Sequence, residues 1–180
     1  MSQLKEIYKK EVAGALMNQF KFKNVHQAPR LLKVIVSVGL NSQNKDPKIA
    51  ETATETMRRI TGQMPVKTRA KKSIAGFKVR QGMVVGLKTT LRGERMYDFV
   101  ERLIRITLPR LRDFRGLSDK LVDRQGNVAI GFRDVISFPE LQTDAMERTH
   151  GLEIVIATSA KTREEGIALF KLLGFPFRGK

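Results

Sequence analysis

The sequence has no cysteine, two histidines, six prolines, and no long run of apolar residues. Without cysteine there is no disulfide framework, no thiolate metal site and no cysteine nucleophile. His26 and His150 sit in polar segments, with no carboxylate or second histidine at a ligand spacing, so they read as surface residues rather than as bases or ligands. No stretch approaches the roughly 18 apolar residues of a membrane span. The N-terminal segment Met1-Ser2-Gln3-Leu4-Lys5-Glu6 leads into charged amphipathic sequence rather than a signal peptide, so a cytoplasmic location is expected. Neither Gly-x-x-x-x-Gly-Lys-Ser/Thr nor Gly-x-Gly-x-x-Gly occurs, so no nucleotide-cradling loop is signalled. Asp98 and Glu101 share a helical face with Arg102 and Arg105, which fits solvated ion pairs better than paired catalytic acids. The expectation is no catalytic residue, no metal, no cofactor, no small-molecule substrate and no membrane partner.

What is present is positive charge on a folding chain. The 180 residues carry 34 Lys+Arg against 18 Asp+Glu, a formal net charge of +16, and 41% of them are hydrophobic. That length and apolar content bury a core in one domain, or in one with a long insertion, and exclude a disordered basic tail. The excess cations crowd into the first half. Between Glu55 and Glu94 there is no acid, while Arg58, Arg59, Lys67, Arg69, Lys71, Lys72, Lys78, Arg80, Lys88 and Arg92 all fall there. So much charge of one sign repels itself unless a polyanion neutralises it, which points to nucleic acid.

Apolar positions Leu4, Ile7, Tyr8, Val12, Leu16 and Phe20 predict a helix over residues 4–20. Leu32, Val34, Val36 and Val38 predict one apolar face of a strand over 31–38, with Lys33 and Ser37 opposite. Asp46-Pro47 opens a helix that Gly62 ends. A short strand is expected over 64–68. An alternating strand over 83–92 sets Val85, Leu87, Thr89 and Leu91 against Lys88, Thr90 and Arg92. A helix over 94–107 carries Met96, Phe99, Val100, Leu103, Ile104 and Ile106, and a long polar connection fills 110–126. Strands over 128–132 and 152–158 follow. Thr162-Arg163-Glu164-Glu165 is a capping box for a last helix that Gly174 closes. This order predicts a two-layer α+β domain, an antiparallel sheet with helices packed on one face, leaving the other face to a ligand. A basic loop with two glycines, residues 69–82, is expected to project from it. Ile74 and Phe77 in that loop fit either contact with RNA or anchorage on the core.

Several long, irregularly spaced runs resemble one family. They are residues 57–73, from Met57-Arg58-Arg59-Ile60-Thr61-Gly62-Gln63 to Lys71-Lys72-Ser73; Ile74-Ala75-Gly76-Phe77-Lys78-Val79-Arg80-Gln81-Gly82; Thr90-Leu91-Arg92-Gly93-Glu94-Arg95-Met96; and Pro109-Arg110-Leu111-Arg112-Asp113-Phe114-Arg115-Gly116-Leu117. The likeness runs from Leu4 to Phe175-Pro176-Phe177. It is to the bacterial large-subunit ribosomal protein that binds 5S rRNA, the L-five family. The resemblance implies one 5S rRNA-binding domain over 1–180, in the central protuberance among 5S rRNA and 23S rRNA. It maps a polar trio that contacts 5S rRNA to Ser37, Gln63 and Thr90; Lys33 and Arg92, which the strand alternation sets on the ligand-facing side, are expected to bind 5S rRNA with them. Family members commonly carry Asn where this chain has Ser37. The loop bearing Arg69, Lys71, Lys72, Ser73, Lys78 and Arg80 corresponds to one that reaches P-site tRNA. Arg110, Arg112, Asp113 and Arg115, with a second segment over 134–148, correspond to parts that face the small-subunit head protein S-thirteen and form an intersubunit bridge. The competing readings are a nucleic-acid-processing enzyme and a free-standing basic RNA-binding protein or RNA chaperone.

Overall fold

The computed structural model of the chain describes residues 3–40, 47–112, 114–141 and 150–178. The first helix, α1, comprises Gln3–Ile7, a wider π-type turn at Tyr8–Val12, and Ala13–Phe20. Then come β1 (Leu31–Gly39), α2 (Pro47–Thr61), β2 (Val66–Arg69) and β3 (Val84–Leu91). Helix α3 runs from Gly93–Arg102 into Leu103–Thr107, and is followed by β4 (Val128–Phe132), β5 (Leu152–Thr158) and α4 (Arg163–Leu172). This is the order the periodicities predict. The strands form one five-stranded antiparallel sheet, β2-β3-β1-β5-β4, with helices packed alongside, as the α+β reading requires.

The chain divides into two compact units: residues 1–34, 91–130 and 155–180, and residues 35–90 and 131–154. In the first unit α1 packs on α3 and α4. Its core includes the fully buried Leu16, Leu103, Leu108, Leu169 and Phe170, with Phe175 edge-on to Phe170 at 5.1 Å between ring centroids. The start of α4 is fixed by its capping residues. Thr162 Oγ1 accepts from the Glu165 N–H at 3.3 Å, and Glu165 Oε2 accepts in return from the Lys161 N–H at 2.8 Å. The return bond thus falls one residue before the cap, yet it still satisfies a donor at a helix start. A turn at 123–127 is held by Asp123, whose Oδ1 accepts from the Gln125 and Asn127 N–H groups at 2.9 and 2.7 Å. Gly126, at φ +76°, lies so close to α4 that a Cβ on Gly166 would stand 2.6 Å from the Gly126 carbonyl oxygen. Only glycine fits at that crossing.

In the second unit, Ala53, Met57 and Ile60 of α2 recur at helical spacing and are all but fully buried, as are Val36, Val38 and Leu87. The helix ends as the sequence indicates: Gly62 takes φ +65° and its N–H donates to the Arg58 carbonyl at 2.8 Å. Asp46, the expected cap at the other end, lies outside the described residues.

Some expectations need correcting. Leu32 is 42% exposed, whereas Leu31 is buried, so the regular alternation of β1 begins only at Val34. Ile106 lies on the exposed side of α3. Strand β3 stops at Leu91, and Arg92 is the residue that caps α3 rather than a strand residue. The short strand lies at Val66–Arg69, beginning two residues later than 64. The connection over 110–126 has structure of its own, with a helical turn at Asp119–Leu121 and bridges from Leu117 to Phe177 and from Val122 to Val128.

Candidate nucleic-acid interface

The second unit presents one sheet face away from its buried side chains. Because Val36, Val38, Leu87 and Thr89 are buried, Ile35, Ser37, Lys88 and Thr90 lie on the opposite side of adjacent strands. Strand β2 adds Val66 and Thr68 to that side through the pairs Val66–Lys88 and Thr68–Gly86. Apart from Lys88 and, on β5, Glu153, the strand residues named on this side carry hydroxyls and apolar groups. Ser37 is half-buried, and its hydroxyl donates to Glu153 Oε2 on β5 at 3.2 Å. Thr90 and Gln63 are also half-buried, and no described residue engages the Thr90 hydroxyl or the Gln63 side-chain amide. Gln63 sits in the link from α2 to β2, where its N–H donates to Thr61 Oγ1 at 3.3 Å, fixing the backbone and leaving the side chain available. Lys33 and Arg92 belong to the first unit, not to the one holding Ser37, Gln63 and Thr90.

The basic block splits in two. Arg58 and Arg59 converge on Glu55, with Nε–carboxylate distances of 2.9 and 3.0 Å. The hydrogen bonds from Arg58, then Arg59, hold the Glu55 carboxyl below the usual carboxylate range. Those two arginines are therefore already partnered within the helix. Lys67, Arg69, Lys71, Lys72, Lys78, Arg80, Lys88 and Arg92 are all exposed, and none forms an ion pair with a described residue.

Most of these cations ride on the β2–β3 connection, which is ordered by its own backbone. A bulge falls between Thr68 and Arg69. Beyond it the Ala70 N–H donates to Met83 O at 2.8 Å and the Gly82 N–H to Ala70 O at 3.0 Å. Ile74 and Val79 then exchange two hydrogen bonds, of 2.9 and 3.2 Å. The Ala75–Phe77 turn at the tip is closed by Lys78 at φ 53°, and Ser73 Oγ accepts from the Gln81 N–H at 2.9 Å. Residues 71–78 are exposed throughout, with Phe77 at 67% and Ile74 at 49%, so neither is a foot on the core.

A model of the family described as ribosomal protein L5 matches residues 24–80, and the model of the same family's C-terminus matches residues 84–177. The chain belongs to the ribosomal protein L5 family. Curated relatives agree across the whole length. The "Large ribosomal subunit protein uL5" of Halothermothrix orenii is 50% identical over 177 residues, covering 98% of this chain and 99% of the relative. That of Alkaliphilus oremlandii is 49% identical with the same coverage, and that of Heliobacterium modesticaldum 48% identical over all of both chains. This L5 family member is thus a structural, non-enzymatic constituent of the large ribosomal subunit, working in translation on the cytoplasmic ribosome.

The remaining predicted residues are spread along the chain. Arg110, Arg112 and Arg115 are exposed in the first unit, and Asp113 lies outside the described residues. Of the 134–148 segment, residues 134–141 are described, with a turn at Val135–Ser137 and a buried Phe138; 142–148 lie outside. Sequence reading passed over Glu153. The alternation Leu152, Ile154, Ile156 already sets it on the outward side of its strand, but its pairing with Ser37 depends on strands distant in sequence.

Proposed function

We propose that the chain binds 5S rRNA through the open sheet face of its second unit and contacts P-site tRNA through the 69–82 loop. The observation that supports this most is the contrast on one surface. Polar groups at Gln63 and Thr90 that no described residue engages are flanked by cations without ion-pair partners among the described residues. Hydroxyls and amides discriminate base edges, whereas Lys and Arg bind phosphate irrespective of sequence. In this reading Ser37, Gln63 and Thr90 read the 5S rRNA, and Lys33 and Arg92 hold its backbone. Arg69, Lys71, Lys72, Lys78 and Arg80, with Ser73, face the tRNA, where weak sequence preference suits a surface that accepts every tRNA. Arg110, Arg112, Asp113 and Arg115 face the small-subunit head protein S-thirteen, and 23S rRNA is a further neighbour. The full 1–180 chain acts as one RNA-binding domain. The test is binding of the purified protein to 5S rRNA, to tRNA and to an unrelated RNA at one stated salt concentration. Tighter binding to 5S rRNA by about a thousandfold or more is the specific outcome; equal affinity for all three overturns the proposal.

A further inference from the structure

Among the described strand residues of the second unit, Glu153 is the sole acid. It is exposed on β5, next to β1 in the sheet, and shares an outward side with Ser37. A carboxylate there opposes the attraction that Lys88, on the same side of the sheet, exerts on phosphate. It also forms no ion pair with a described residue, so it is not explained as internal neutralisation. Its contact is the Ser37 hydroxyl, 3.2 Å from Oε2. That bond uses one lone pair of one oxygen and holds the carboxylate against the sheet, leaving the rest of its acceptor capacity directed outward. An ionised carboxylate only accepts, so it is complementary to a group that only donates. In RNA, that is the exocyclic amino and ring N–H edge of a splayed or minor-groove base.

We infer that Glu153 is a specificity-determining residue of this face: it accepts from the amino edge of a base, with the Ser37 hydroxyl as its positioning partner. The inference rests on the reading that this face holds 5S rRNA. It gives Ser37 a role its short side chain could not fill alone. The serine acts through the carboxylate beside it, and the pair spans a reach that a lone hydroxyl lacks. Phosphate repulsion by Glu153 then weakens attachment to wrong RNAs, so a single group serves both attraction and rejection.

The experiment measures the affinities of the full chain and of Glu153→Gln for 5S rRNA and for an unrelated RNA duplex of equal length, at one salt concentration. The expected result is about a tenfold loss for 5S rRNA with unchanged or increased affinity for the unrelated duplex. If affinity rises equally for both RNAs, Glu153 merely repels phosphate and the inference fails. If it falls equally for both, the carboxylate reads ribose hydroxyls rather than a base, which also overturns it. Ser37→Ala, an independent variant, is expected to lose about threefold for 5S rRNA in the wild type and nothing further in the Glu153→Gln background. Additive losses would separate the two residues. Thermal melts establish that each variant is folded, and should Glu153→Gln not fold, an unaltered 5S-to-duplex ratio in Ser37→Ala is decisive against the pair. A wild-type chain without preference for 5S rRNA instead removes the underlying reading. A wild-type preference that Glu153→Gln leaves intact removes only the carboxylate's part.

Discussion

The two units use the same charged residue types in opposite ways. In the first, some cations tie helices together through acids: Lys5 meets Glu94 at 3.3 Å, and Arg105 meets Glu101 at 2.9 Å while also donating to Gln3 Oε1 at 2.9 Å. Glu101 additionally accepts from the Leu4 N–H at 3.3 Å, tying the start of α1 to α3. In the second, Arg58 and Arg59 are satisfied by Glu55, but the cations of β2, β3 and the loop between them have no such partners among the described residues. Part of the charge in the first unit thus joins its helices, whereas in the second the pairs of Arg58 and Arg59 lie within one helix and the cations of its strands and loop stay open to solvent. Exposed pairs add only about 0–1 kcal/mol each, so the difference bears far more on what the chain binds than on how firmly it folds.

The largest effect that would break this comparison is neutralisation of the loop. Replacing Lys71, Lys72, Lys78 and Arg80 together by Gln should leave folding and most 5S affinity intact while releasing P-site tRNA from reconstituted ribosomes faster. At about 0.2–1 kcal/mol for each exposed charge neutralised, the four together give about 0.8–4 kcal/mol, an acceleration between roughly fourfold and several hundredfold. Dissociation kinetics of tRNA, paired with 5S binding by the free protein, decide it; collapse of 5S binding with unaltered tRNA release would move the loop to the rRNA site. Next, Gln63→Ala and Thr90→Ala should each weaken 5S binding by about 1–3 kcal/mol if they meet bases directly. Their melting temperatures should hardly move, and a sharp drop in melting with affinity retained would make them structural.

A smaller effect sharpens the other side. Glu101→Gln removes the negative partner of Arg105 and weakens the bond from the Leu4 N–H, so denaturant titration should register a loss of about 1–2 kcal/mol, with RNA affinity unchanged. The smallest concerns Asp123. Burial pushes its carboxyl up, but hydrogen bonds from Asn127, Gln125 and Gly126 outweigh burial and hold it below the usual range. A depressed folded value means its stabilisation is complete above the unfolded Asp value of about 3.9 and is lost as pH falls through the folded one. Melting curves of wild type and Asp123→Asn should therefore be furthest apart near neutral pH and converge in acid.

Element order was legible in the sequence because it depends on local periodicity and capping. Val34, Val36 and Val38 alternate, Ala53, Met57 and Ile60 recur by helical turns, and Gly62 and Gly174 stop their helices at positive φ. The loop's internal pairing was not legible, since Ile74 and Val79 meet through a turn that leaves both largely outside the core. Nor did counting cations reveal that Arg58 and Arg59 share Glu55, although their spacings of three and four residues carried that signal. Composition pointed to a polyanion, and the assignment of Ser37, Gln63 and Thr90 to 5S rRNA came from resemblance. The Ser37–Glu153 pair needed the strand register itself, because the two residues are 116 positions apart.

Among the described strands β2 stands at the sheet margin with one side unpaired, and such an edge invites strand addition from another copy. Here the hazard is real, because Met64 and Val66 are 63% and 69% exposed along that margin. Pro65 precedes the strand, the bulge at Thr68/Arg69 interrupts its regular repeat, and Lys67 and Arg69 place like charges where a second β2 would have to approach. Cations without ion-pair partners among the described residues thus also set like charge against like along the edge that a second copy would have to approach.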